Sequence, residues 1–383
     1  MAETMNTTIL SNRMSRRIRL PDTVKCYRVL IGVLIWMVSL ALIPPSASAQ
    51  GLSKVYSAAL QGDMARALEI LDSIETDKLS PRDSATAECM RTTFTSPPRS
   101  EDLPPMAQEI LSAYRQYWQS AMLRRQSAVQ AESELLISLN RILPEALGTD
   151  TPFTSLDDAS SAAKQAITRD GLFALTGVTS PFYELMLWKT QTPRTYHIAL
   201  PQNEVDVQVV FLDSFVSLGW AAYATCGRAH TGGWATKDSL YAVQSSYDTT
   251  SEQFRVSYLA HEGQHFSDYT EFPLLEQPEL EYRAKLTELA VSDQSTHAVL
   301  KNFAGGMGQD RNVPHQLAQY WVIRNLSRQV SRADSPVTDT TMWLRLPSRR
   351  IRHEAERLLR RNGEELHRAG ATTVRQFLGT HED

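Results

Sequence analysis

The segment Tyr258-Leu259-Ala260-His261-Glu262-Gly263-Gln264-His265-Phe266 constrains this chain most, because it contains His-Glu-x-x-His. On a helix the two histidines lie one turn apart, so both imidazoles project from one face. Two nitrogen ligands so placed suit one zinc ion. Glu262 borders that face, where it is placed to take a proton from a metal-bound water. Zinc lowers the pKa of such a water from about 15.7 to about 7, which makes hydroxide available at neutral pH. Three fixed positions also recur by chance. The flanks favour the chemical reading. Val256 to Ala260 is mostly apolar, Gly263 and Gln264 are uncharged and Phe266 is apolar, which describes a half-buried helix. Gly263 costs a helix about 1 kcal/mol relative to Ala. That cost predicts close approach by another backbone or by a substrate.

Catalytic zinc usually takes three protein ligands and leaves one position open. Asp268 follows His265 by three residues, too far along a continuing helix for direct ligation, and reads as a brace for the ligands or the helix end. The stretch from Glu276 to Ala290 reads as a new helix with Pro278 in its first turn. Glu281 and Glu288 share a face of it, and small Ala284 allows close approach to the first helix. Glu281 is the first choice for third ligand, with Glu288 as the alternative. For either, an exposed helix-surface position is the plainer reading.

His261-Glu262-x-x-His265 followed by a glutamate on the next helix resembles the gluzincin branch of the zincin metallopeptidases. The resemblance covers His261 to Glu288. It implies an α+β catalytic domain with an active-site cleft, one zinc ion on His261, His265 and Glu281, and Glu262 as general base and then acid. The chain departs from the family's Asn-Glu-x-x-x-Asp helix, since Lys285 stands four residues after Glu281, and it lacks the later His and Gly of metzincins. Such a site also needs a donor for the developing oxyanion. His315 is the first candidate because a Gly305-Gly306-Met307-Gly308 loop precedes it; Tyr320, His297 and His230 are alternatives.

Around this motif lies ordinary globular material. The 383 residues are 42% hydrophobic and 21% charged, enough for two domains or one large one. A net charge of -4 and a pI near 6.2 give no case for a nucleic-acid partner. The short clusters Arg349-Arg350-Ile351-Arg352 and Arg360-Arg361 read as a solvated helix face.

Residues 1–49 read as a signal peptide. Arg13, Arg16, Arg17, Arg19, Lys25 and Arg28 precede an uncharged, mainly apolar run from Val29 to Ile43, and Pro44-Pro45 and Ala47-Ser48-Ala49 follow. Cleavage is expected after Ala49, giving an exported protein, periplasmic or secreted, with no stable membrane span. An uncleaved signal anchor is the rival, but the run is shorter than the ~20 residues of a spanning helix. Cys26 leaves with the signal. Cys89 and Cys226 remain, either bridged or as two separate buried thiols.

Residues 50–150 read as a helical N-terminal region. Two helices broken at Gly62-Asp63 form one hairpin that resembles a tetratricopeptide unit over Ala58 to Leu71. No second copy follows, so a packed hairpin is expected rather than a solenoid. A loop over Asp77 to Pro105 holds a helix near Ala85 to Thr92. Met106 to Leu143 is one long helix or two, and Pro144 to Ser155 is a turn-rich boundary. The catalytic domain is expected over 151–383. It begins with a helix over Leu156 to Leu175, and Gly171 marks a possible end to that helix. A short apolar run over Tyr183 to Trp188 and strands over Arg194 to Ala199 and Val205 to Leu212 follow. Gly232 to Ala235 and Leu240 to Val243 are short strands with a turn at Lys237-Asp238. The first of these is the candidate edge strand that pairs with an extended substrate. The motif helix starts at Ser251, and a charged helix pair ends the chain over Arg350 to Leu378. The whole reads as an α+β exported zinc metallopeptidase acting on a peptide or protein substrate. Two competitors stand: a non-enzymatic helical interaction protein with an incidental motif, and a zinc amidase acting on a non-peptide amide.

Overall fold

The computed structural model describes residues 47–75, 79–97, 100–148, 151–236 and 238–379. The expected signal peptide over residues 1–49 lies outside them up to residue 46, with Ala47 to Ala49 in the first helix, and Lys237 of the expected turn lies outside them too. Among the described residues, no helix is long and apolar enough to cross a membrane. The fold is α+β: helices first, then a five-stranded sheet, then helices again.

The N-terminal region opens with the hairpin of α1 (Ala47–Leu60) and α2 (Met64–Asp72). At its bend, Gly62 has φ +77°, and a Cβ there would lie 2.7 Å from the Phe182 ring, so the turn requires glycine. Asp63 then caps α2 by accepting from the Arg66 N–H. α3 (Pro81–Thr95) is longer than the sequence suggests, because Ser80 caps it and Pro81 starts it. The Met106–Leu143 pattern resolves into α4 (Pro105–Met122) and α5 (Ala128–Leu147), since Ser127 and Gln130 form a capping box that begins a second helix. α5 continues through Pro144, where a boundary was expected; a proline in the last turn removes one backbone donor, and the Gly148 N–H closes the end on the Pro144 carbonyl. α6 (Leu156–Arg169) stops short of Leu175, because the residues after Gly171 have joined the sheet.

These helices bury one apolar core with strand residues Phe182, Leu185 and Leu187 and with Trp220 of α7 (Trp220–Thr225). Cys89 of α3 is bridged to Cys226, which caps α7, across 137 residues of chain. Closing so long a loop restricts the unfolded chain and stabilises the fold by about 2–4 kcal/mol in typical cases.

The sheet comprises β1 (Phe173–Thr179), β2 (Phe182–Ala199), β3 (Glu204–Leu218), β4 (Gly233–Ala235) and β5 (Leu240–Val243) in the order β1-β2-β3-β5-β4. β5 runs parallel to β3; the other pairs are antiparallel. The apolar run from Tyr183 and the alternating run from Arg194 are two parts of the single strand β2. One sheet face presents Ile198, Val207, Val209 and Phe211 to Phe254, Tyr258 and Leu259. The other gathers Trp188, Trp234, Phe173, Phe215 and Tyr241. β4 stands at the sheet edge, with no strand beyond it among the described residues.

Behind the sheet, Ser251 accepts from the Phe254 N–H, the wide π-helical turns Phe254–Ala260 follow, and α8 (His261–Glu271) continues them. Gly263 faces Ile198 and Val205, which would each lie 3.3 Å from an added Cβ. The close approach expected at this glycine therefore comes from side chains of the β2–β3 hairpin rather than from a backbone. α9 (Gln277–Val291) is buried along most of its length and packs against α8, α10 (Thr296–Gly305), α11 (Pro314–Ser331) and α13 (Ser348–Ala369), while the short α12 (Thr340–Leu344) packs on α10. The expected terminal helix pair is one helix, α13. Gly370 (φ +102°) turns the chain out of it, and the Phe377 and Leu378 N–H groups then donate to Glu279 at 3.2 and 3.3 Å.

One buried ion pair joins α8 to α9. Asp268 and Arg283 are both 0% exposed, with the Arg283 Nε 2.9 Å from each carboxylate oxygen. Arg283 also donates to Asn362 of α13 and lies over the Phe272 ring. Removing one partner strands the other charge in the core, so Arg283→Met is expected to lower stability by about 3–5 kcal/mol. Urea unfolding measures this; a loss below about 1 kcal/mol would show that the pair does not hold the helices together.

Candidate metal centre

α8 and α9 run antiparallel, and their facing side chains make the site. His261 and His265 stand one turn apart on α8, as helical spacing dictates, and face Glu281 of α9. The two Nε2 atoms lie 3.2 Å apart. Glu281 presents one oxygen 3.4 Å from the His261 Nε2 and the other 3.5 Å from the His265 Nε2. All three residues are at most 5% exposed.

These distances fit a cation. Bonds of about 2.0–2.1 Å in a tetrahedral site give ligand–ligand edges of about 3.3 Å. The Glu281 Oε2 is buried and makes no well-directed hydrogen bond, although the His315 Nδ1 lies 2.8 Å away. Buried polar atoms are normally satisfied, so an orphan facing two imidazole nitrogens points to a ligand. Two imidazoles and a carboxylate are also the donor set that zinc accepts.

The surroundings orient the three ligands. The His261 Nδ1 lies 2.7 Å from the Glu288 Oε1, on the ring edge away from Glu281. A carboxylate there keeps the proton on Nδ1 and leaves the Nε2 lone pair free to ligate. Glu288, the alternative third ligand by sequence, thus occupies the far side of the imidazole. Gln277 donates to the Glu281 Oε1, while Lys285 lies 3.8 Å from Oε2, with its ammonium over the Phe303 ring. Gln264 donates to Asp268 and accepts from Thr287, so Asp268 braces α8 from behind through Gln264 and Arg283.

Charge in the cluster is strongly coupled. Burial disfavours an imidazolium at His261, but Glu281 and Glu288 outweigh it and hold its pKa up to about 10. Burial likewise works against a charged Glu281, yet His261 beside it, with His265 and His315, holds the carboxyl well below its usual range. Without a cation, therefore, the cluster retains a proton between its carboxylates.

Of the remaining candidates, Glu262 and His315 lie at the cluster and the others do not. Glu262 is half-buried on α8 beside the ligands and makes no hydrogen bond among the described residues. His315, at the start of α11, reaches Glu281 from the exposed side. His297 lies 3.0 Å from the Leu346 carbonyl and is flanked by Ser348; Tyr320 packs edge-on to Trp321; and the His230 ring meets the carbonyl of the adjacent Thr231. Sequence reasoning missed Lys285 and Arg283 as buried groups. Their positions on a helix with few uncharged faces were the available signal. No known family, curated protein or solved structure matches the chain, so function must be argued from the site itself.

Since the metal-free His261 carries its proton up to about pH 10, cation uptake at pH 7 has to expel it. Zinc affinity is expected to rise with pH across this range and to fall in acid. Calorimetry at pH 7 in buffers of different ionisation heat should find about one proton released per zinc. Uptake with no proton release would contradict this account of the cluster.

Proposed function

We propose that the protein is an exported zinc-dependent metallopeptidase. The triangle of His261, His265 and Glu281 donors, with edges of 3.2 to 3.5 Å, carries this reading. His261, His265 and Glu281 would hold a zinc ion, which would supply Lewis acidity toward a carbonyl oxygen and toward bound water. Glu262 takes the proton from the attacking water and returns it to the departing amine. Its lack of a competing hydrogen bond supports that role, because a base already paired would have to break the pair first. Glu288 holds His261 in the ligating tautomer, and Gln277 orients the Glu281 carboxylate through its other oxygen.

The substrate assignment rests on the sheet. β4 is the last strand on its side of the sheet, and an extended peptide adds to such a strand through its backbone, here beyond Gly233, whose N–H and carbonyl are engaged by the Thr231 hydroxyl. Tyr247 links this edge to the site: its hydroxyl would lie 3.0 Å from a Cβ on Gly232, and its ring meets Tyr258 of the motif helix at 4.6 Å. Export is supported by the Cys89–Cys226 bridge, which persists in oxidising compartments. On this reading, residues 50–150 form a supporting helical region and residues 151–383 the catalytic domain.

Glu262→Gln keeps the shape of the side chain and removes the base. It is expected to retain zinc and to lose at least about a hundredfold in peptide hydrolysis. The check is turnover of a mixed peptide library by wild type and variant, with zinc measured on the same samples. Activity retained in the zinc-loaded variant would remove Glu262 from the mechanism.

A further inference from the structure

Hydrolysis of an acyl group builds negative charge on its oxygen, and a donor aimed at that oxygen stabilises the transition state. The histidines suggested by sequence are placed otherwise: His315 sits beside the Glu281 Oε2, on the carboxylate and not on the open side of the cluster, while His297 meets Leu346 and Ser348 and His230 meets Thr231. We propose that the Tyr269 hydroxyl is the group that contacts the substrate's acyl oxygen, an inference that rests on reading the site as a zinc hydrolase.

Tyr269 follows His261 and His265 at the same four-residue interval, so the three side chains form one row along α8. Helical side chains lean toward the N-terminus, which carries the phenol back over His265 toward the cluster. The rings agree: Tyr269 stacks on His265 at 6.2 Å with an interplanar angle of 20°, and Phe266 meets it edge-on at 6.5 Å. Those contacts fix its direction. The residue is nonetheless 43% exposed, in contrast to the buried ligands beside it. Its hydroxyl makes no hydrogen bond among the described residues. A phenol carries its proton at neutral pH, so the hydroxyl is a donor there. Tyr269 therefore offers an oriented, uncommitted donor at the solvent side of the cluster.

Cobalt(II) reports on such a site through its visible absorption. The full chain loaded with cobalt is titrated with acetohydroxamate, a small anion that approaches the metal with oxygens resembling a developing oxyanion. Tyr269→Phe removes only the donor and is expected to bind the same cobalt while holding acetohydroxamate roughly three- to tenfold more weakly. Tyr320→Phe should behave as wild type. Wild-type affinity in fully loaded Tyr269→Phe would overturn the assignment while leaving the metal site intact. Loss of cobalt from that variant would also overturn it, by giving Tyr269 a structural role instead. A wild-type protein that takes up no cobalt would remove both the assignment and the zinc reading beneath it.

Discussion

The antiparallel contact between α8 and α9 is the constraint on which the rest depends. As positions rise along α8, partners fall along α9: His261 meets Glu288, Gln264 meets Thr287, and Asp268 meets Arg283. Each contact is polar and buried, so each is costly unless its partner is in place. Together they set the register that brings Glu281 against the two imidazoles. The β2–β3 hairpin supports α8 at Gly263 through Ile198 and Val205, and α13 supports α9 through Asn362. The candidate donors thus stand on helices braced from two sides, and their geometry is held by the protein alone.

The same contact explains why the cluster suits a cation. Five ionisable groups are buried in one chain of contacts, with Glu288 on His261, and His261, His265 and Lys285 on Glu281. Two carboxylates so placed are compensated in part by a proton at His261 and by Lys285. A divalent ion compensates them more fully and satisfies the orphaned oxygen of Glu281. Stability alone gives little reason to keep such a set, since apolar replacements of buried ionic groups are often neutral or stabilising. Its presence is a functional signal.

Much of this was legible in the sequence wherever a short-range rule applied. Helical spacing put His261 and His265 on one face, and Pro278 marked the start of the helix that carries Glu281. The bend at Gly62-Asp63 also followed from a local pattern, whereas sequence offers Gly232 to Ala235 as an edge only through its nearness to the motif helix. What remained hidden depended on packing. Glu281 and Glu288 share a face, and only the crossing of α8 over α9 separates the ligand position from the brace on the Nδ1 of His261. Pro144 looked like a boundary because sequence does not show that α5 was already in its last turn. Residues 173–175 looked helical because short apolar runs carry no period of their own, and pairing with β2 decided them. The terminal helix pair failed for a similar reason: Phe377 and Leu378 fit an amphipathic pattern, yet their backbone is held by Glu279.

The most direct test of the central claim is the metal content of residues 50–383, purified without chelator and measured beside Glu281→Ala and His265→Ala. The account predicts about one zinc per chain in the wild type and loss of it in both folded variants. A folded wild-type protein that holds no zinc and cannot be loaded with it would contradict the account, and the buried cluster would then be a structural ion-pair network.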